Sequence, residues 1–89
     1  MYKAKVYVTL RESILDPQGS AVKGGLHKLG FNEVKSVRIG KMIEITISDS
    51  VPKEEIDLHV QEMCERLLVN EVMEDYEIKI YNYEKENLI

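Results

Sequence analysis

The sequence predicts a two-layer α+β domain: a four-stranded antiparallel sheet with two helices on one face, in the order strand–helix–strand taken twice. Three observations predict it. Near the N-terminus, apolar Ala4, Val6, Val8 and Leu10 alternate with Lys3, Lys5, Tyr7 and Thr9, the two-residue period of a half-buried strand. From Asp16 the spacing changes, and Val22, Leu26 and Leu29 form one stripe of a helix. The same switch recurs in the second half, from Ile43, Ile45 and Ile47 to Ile56, Val60, Met63, Cys64 and Leu67.

The first helix has a marked beginning and end. In "LDPQG", Asp16 is a good N-cap because its carboxylate accepts backbone N–H bonds of the first turn, and Pro17 suits the first helical position. Gly30 stands where a left-handed C-terminal cap is wanted, with Phe31 after it placed to pack back on Leu26. Gly19, Gly24 and Gly25 are poor helix formers, the last two costing about 1 kcal/mol each relative to Ala in an exposed helix interior. Close approach of another backbone, from the sheet below or from a neighbouring chain, is the reason expected for them. A second strand is expected over Val34 to Ile39 and a third over Met42 to Ser48. Pairing Val37 with Ile45 keeps the apolar face intact and sets Arg38 opposite Glu44, which requires a three-residue connection or a bulge beside Gly40. The second helix is expected from Pro52 to Leu68, with Glu54 and Glu55 in its first turn where the helix dipole favours acids. The last strand is expected from Tyr76 to Tyr83, followed by a tail, "EKENLI", that should fray unless a partner holds it. Doubled strand–helix–strand units of this kind build the ferredoxin-like βαββαβ sandwich.

With both helices on one face, the other sheet face is left open. It would display Lys3, Lys5, Tyr7, Thr9, Arg38, Glu44, Thr46, Lys79, Tyr81 and Tyr83. Tyrosines among charges on an open sheet suggest a protein–protein surface, and Tyr7, Tyr81 and Tyr83 are the candidates for self-association there or at a sheet edge.

Bulk properties narrow the function. The 89 residues make one domain spanning 1–89, with 44% hydrophobic and 31% charged residues, a globular balance. No apolar run nears the ~18 residues of a membrane span. The alternation of "MYKAKVYVTL" is that of a strand and not of a signal peptide's continuous apolar core. One cysteine, Cys64, cannot form an internal disulfide, so a reducing, cytoplasmic setting is expected. The net charge of −4 is unevenly spread. Residues 1–41 hold eight Lys/Arg against three acids, +5, while residues 42–89 hold four against thirteen, −9. Such a split reads first as two solvated faces of different sign, and in a sharper reading as charge complementarity that orients docking of protomers or partners; the acidic balance disfavours nucleic acid.

The constellations that could carry chemistry are weak. His59 has Glu55 and Glu62 on its helix face, a set that could bind a divalent metal but reads first as surface ion pairing, and no metal is expected. His27 lies beside Lys23 and Lys28 as a solvated side chain. Cys64 falls on an apolar stripe, as a buried inert thiol. No phosphate-loop pattern follows the glycine of "LDPQG". No catalytic residue is expected in this chain.

The pattern "LDPQG" (Leu15 to Gly19), Ala21-Val22, "LGF" (Leu29 to Phe31), Val34 and "VRIGK" (Val37 to Lys41) resembles the PurS family, small subunits of phosphoribosylformylglycinamidine synthase. The strand "KVYVTL" and the closing "YEIKIY" match the family's ends, so the resemblance spans nearly the whole chain. Ser13-Ile14 and Gly24-Gly25 depart from it, where Gly-Val and alanines are more usual. The resemblance implies a PurS-like fold and a role in de novo purine synthesis. It implies two partners: a glutaminase that releases ammonia from glutamine, and a synthetase that uses ATP and magnesium. The synthetase activates the amide oxygen of formylglycinamide ribonucleotide as a phosphate ester, and ammonia displaces the phosphate to give the formamidine. Small subunits of this family carry neither active site nor a cofactor of their own. They are homodimeric adaptors joining the two catalytic subunits, with room for a part in enclosing the ammonia path. Carried over by position, Asp16, Pro17, Gln18 and Gly19 at the helix start, with Arg38, Gly40 and Lys41 at the expected hairpin, are the residues expected to touch the partners.

Two other classes share the topology. A small-molecule regulatory domain of the ACT type would bind its ligand near the first helix start. An RNA-recognition domain would stack bases on aromatics of its central strands, yet "MIEITI" offers none.

Overall fold

A computed structural model of the chain describes residues 1–82. Its sheet has three strands among the described residues: β1, Tyr2–Leu10; β2, Gly40–Ile47; and β3, Glu74–Asn82. Their order is β2-β1-β3, with β1 antiparallel to both neighbours. Between them lie helix α1, Pro17–Lys28, and helix α2, Lys53–Met63, which runs into a π-helical turn at Cys64–Leu68.

The alternation in β1 decides what is inside. Ala4, Val6 and Val8 point to one face and are essentially inaccessible, because β1 is central and α2 lies over it. Ile56, Val60 and Cys64 of the second helical segment are buried equally well, and Ile47 and Val69 complete this core. Ile43 and Ile45 of β2, and Tyr76, Ile78 and Ile80 of β3, flank the core only partly covered. One helix is too narrow to cover three strands spaced ~4.8 Å apart.

Several expectations are corrected. The fourth strand expected at Val34 to Ile39 does not form, and neither does its hairpin with the next strand. The segment is instead held at the helix start: Asp16 takes the Ile39 N–H, and the Val37 carbonyl lies against Gly19. Ile45 therefore faces Ala4 instead of Val37, and Glu44 faces Lys5 instead of Arg38, with an ion pair to Lys3 at 3.2 Å. No three-residue connection or bulge exists at Gly40, which opens β2 opposite Thr9. The stripe of the second helix also changes at its end. The π-turn, closed by Val69 N–H to the Cys64 carbonyl at 3.0 Å, inserts an extra residue into the turn. Leu68 and Val69 pack inward as a result, and Leu67 is turned out, 83% exposed. Tyr83 and the tail "EKENLI" lie outside the described residues.

Helix α1 is capped as its sequence prescribes. Gly30 adopts φ 101°, the Gly30 N–H donates to the His27 carbonyl at 3.0 Å, and the Phe31 N–H donates to the Leu26 carbonyl at 3.0 Å. Its placement differs from expectation. While α2 packs on the sheet, α1 has no comparable contact with it and projects from the end of β1. The radius of gyration is 17.0 Å, against about 12 Å for a compact chain of this length.

Candidate functional site

The corner where β1 ends, α1 begins and β2 is about to start gathers most of the candidate residues. Asp16 holds it together with both carboxylate oxygens. Oδ1 accepts the Gly19 N–H at 2.9 Å, the helix cap expected from sequence. Oδ2 accepts the Ile39 N–H at 2.9 Å, a bond across 23 residues that ties the segment before β2 to the helix start. The two N–H groups, Gly19 first and Ile39 second, hold the Asp16 carboxyl below the usual carboxylate range. Burial opposes them, and the Gln18 N–H and the Arg38 charge add still smaller effects in the lowering direction. Gly19 is the one residue type that fits here. A Cβ on it would stand 2.3 Å from the Val37 carbonyl oxygen and 2.6 Å from Asp16 Oδ2. The close approach expected for the helix glycines is thus found at Gly19, whereas Gly24 and Gly25 face open space.

Arg38 closes the corner from the other side. Its guanidinium donates to Thr9 Oγ1 at 3.1 Å and to the Leu10 carbonyl, at the end of β1. An open cleft of about 690 Å³ lies against it, lined by residues 10–16, Ser20 and 36–38. A second, of about 420 Å³, brings Asp16, Pro17 and Gln18 together with Gly40 and Lys41. The two stretches that the sequence singled out therefore meet in space, and Asp16 is common to both clefts. Asp16 is engaged by backbone N–H groups and Arg38 by Thr9 Oγ1 and the Leu10 carbonyl, so hydrogen bonds tie the corner together beside the two clefts.

Arg11 is a member that sequence reasoning missed. It donates to the Glu71 carbonyl and lies 3.6 Å from Asp75 Oδ1, clamping the turn before β3 to the same corner. Its partners are some 60 residues away, and no local pattern marks them.

Tyr7 and Tyr81 lie on the open sheet face, 38% and 45% exposed. Lys79 sits over the Tyr7 ring, 5.6 Å from its centroid, and Lys5 over the Tyr81 ring at 5.5 Å, two diagonal pairs across the β1–β3 ladder. Arg38, expected on this face, is instead at the corner just described. Cys64 is buried, and burial pushes its thiol up, with Glu65 and Glu71 adding to the shift. Among the described residues no group of three or more His, Cys, Asp or Glu is placed to hold a metal ion.

Comparison with known proteins gives one consistent result. The family model described as "PurS: Phosphoribosylformylglycinamidine (FGAM) synthase" matches residues 3–82. The chain is 56% identical over 80 residues to the phosphoribosylformylglycinamidine synthase subunit PurS of Bacillus subtilis, covering 90% of this chain and 93% of that one. Its fold is similar to the crystal structure of Methanocaldococcus jannaschii PurS, with a TM-score of 0.81 and 43% identity over 94% of this chain and 100% of that one. It is similar also to a chain in the structure of PurLQS from Thermotoga maritima, with a TM-score of 0.73 and 32% identity over 90% of this chain and 96% of that one.

Proposed function

The chain belongs to the PurS family, and from that membership we propose that it is the small, non-catalytic subunit of a phosphoribosylformylglycinamidine synthase. The observation that carries this reading is the family match over residues 3–82, nearly the whole chain. The complex makes a carbon–nitrogen bond with glutamine as amido donor and ATP as energy source. A similar chain solved within PurLQS supports a place beside other subunits of such a complex. The glutaminase partner supplies ammonia, and the synthetase partner holds ATP and magnesium. Residues 1–89 form one domain that works in the cytoplasm; among the described residues no helix is long and apolar enough to cross a membrane. The family match sets aside the regulatory-domain and RNA-binding readings.

In this reading the chain contributes position. A hydrogen-bonded corner built on Asp16, Gly19 and Arg38 holds a fixed shape, and Pro17, Gln18, Gly40 and Lys41 line a cleft beside it. These residues meet the catalytic subunits. Enclosure of the ammonia path follows from the chemistry: ammonia in neutral water is mostly protonated and no longer a nucleophile, so it must pass between subunits without equilibrating with bulk solvent. Protomers also associate with one another as a homodimer, through the open face around Tyr7 and Tyr81 or through a sheet edge.

The test is charge reversal, Arg38→Glu with Lys41→Glu, in a chain mixed with both partners. Glutamine-dependent activity is expected to fall while the circular dichroism of the isolated chain is retained. Unchanged activity would remove both residues from the interface.

A further inference from the structure

The connection from α2 to β3 displays apolar side chains that the fold had the means to bury. Leu67 and Val72 are 83% and 81% exposed, the most exposed large apolar side chains among the described residues. Val69, between them in the chain, is buried and anchors the connection to the core. Leu67 belongs to the apolar stripe of the second helix and would face inward at constant helical period. The π-turn at Cys64–Leu68 turns it to solvent, and such turns occur frequently at functional sites.

Hydrogen bonds hold the display in place. The Asn70 side-chain oxygen accepts the Val72 N–H at 3.1 Å, and the Asn70 carbonyl accepts the N–H groups of Met73 at 3.0 Å and Glu74 at 2.8 Å. The Asn70 N–H donates to Glu74 Oε1 at 2.9 Å. Arg11 fastens this turn to the end of β1. Its N–H donates to the Met73 carbonyl at 2.8 Å, and its guanidinium reaches the Glu71 carbonyl and Asp75. The apolar side chains are therefore presented on a surface ordered before any partner arrives.

Charge says what fits it. Residues 62–75 carry five acids, Glu62, Glu65, Glu71, Glu74 and Asp75, against the single base Arg66. An open cleft of about 420 Å³ beside the turn is lined by Glu71, Glu74, Asp75, Tyr76 and Arg11, three carboxylates against one guanidinium. It has room for a lysine or arginine side chain. The corner around Asp16 is flanked by the opposite balance, since residues 35–41 carry Lys35, Arg38 and Lys41 with no acid. Arg11 lines a cleft on each side. This end of the sheet thus presents two neighbouring surfaces of opposite sign, one cationic and one apolar with an acidic rim. A partner whose charges suit one of them is repelled by the other.

We propose that Leu67 and Val72, within the acidic rim of residues 62–75, dock one catalytic subunit through an apolar socket edged by lysine or arginine, while the Arg38 and Lys41 side docks the other. The inference rests on the adaptor reading above and adds to it a division of the two partners by charge. One chain then holds two different subunits in a fixed order, because neither fits the other's place.

The experiment uses the full chain against each purified catalytic subunit in turn, with glutamine, ATP and magnesium present and dissociation constants read by biolayer interferometry. Three double variants are compared with the parent: Leu67→Ser with Val72→Ser, Glu65→Lys with Glu71→Lys, and Arg38→Glu with Lys41→Glu. All six side chains are exposed, and circular dichroism should remain that of the parent. The first variant should raise the dissociation constant for one subunit at least ~30-fold and leave the other unchanged. The second should weaken the same subunit, with a larger effect at low salt than at high salt. The third should weaken the other subunit instead. Loss of the same subunit in the first and third variants, or unchanged affinity for both subunits in either, would overturn the division. So would a first variant whose defect is in self-association by light scattering, which would assign the patch to a second copy. A parent chain that binds neither subunit would overturn the adaptor reading itself, and the division with it.

Discussion

Replacing Gly19 by alanine should destabilise this protein, although the change is ordinarily favourable in a helix. Alanine is better than glycine by about 1 kcal/mol in an exposed helix interior. At position 19 the added Cβ would stand 2.3 Å from the Val37 carbonyl oxygen and 2.6 Å from Asp16 Oδ2, both well inside van der Waals contact. Neither neighbour is free to yield, since Asp16 caps α1 through Gly19 and grips the Ile39 N–H. Relieving the overlap needs a shift of roughly 1 Å in the segment before β2, and overpacking of this kind costs about 1–3 kcal/mol. Because the closest clash is with a backbone carbonyl, the upper part of that range applies, and after subtraction of the helix gain a net loss of about 1–2 kcal/mol remains. Gly24→Ala is the internal control, because nothing lies within 4 Å of the added atom and it is on the side of α1 away from Val22. Thermal and urea unfolding followed by circular dichroism, at one fixed protein concentration, measures both. Gly19→Ala should lower Tm by at least about 4 °C, and Gly24→Ala should raise it by a few degrees. A Gly19→Ala protein as stable as the parent would refute the close-packed corner.

Two further outcomes follow from the same geometry. Asp16 has its carboxyl pKa lowered in the folded chain, so its contribution is present above the unfolded value of about 3.8 and is lost as pH falls through the lower folded value. Carboxyl-carbon titration should give Asp16 a midpoint below 3.8, and a midpoint at or above it would contradict the two backbone bonds. Cys64, buried with its thiol pushed up, should resist a disulfide reagent at pH 8 in the native protein and react at once in urea. Rapid native labelling would show that the π-turn opens readily.

The elements governed by near neighbours were legible in the sequence. The β1 alternation, the Asp16 cap, the Gly30 termination of α1 and the buried Ile56, Val60 and Cys64 all depend on residues a turn or a pleat apart. What escaped depends on distant or absent partners. Val34 to Ile39 has the composition of a strand, but period alone does not reveal whether a ladder neighbour exists, and here Asp16 takes the Ile39 donor instead. The outward turn of Leu67 comes from one extra residue in a helical turn, which an apolar stripe read at constant period passes over. At the candidate site, "LDPQG" and "VRIGK" were each visible as stretches. Their meeting through the Ile39 N–H, and the clamp from Arg11 to Glu71, were not, because the partners lie 23 and 60 residues apart.

The most direct measurement compares formylglycinamidine ribonucleotide formation by the purified glutaminase and synthetase with and without this chain, once with glutamine and once with ammonium as nitrogen donor. If the chain positions its partners and performs no chemistry, omitting it should abolish the glutamine-dependent rate and leave the ammonium-dependent rate intact. A full glutamine-dependent rate in its absence, or turnover by the chain alone, would contradict that account.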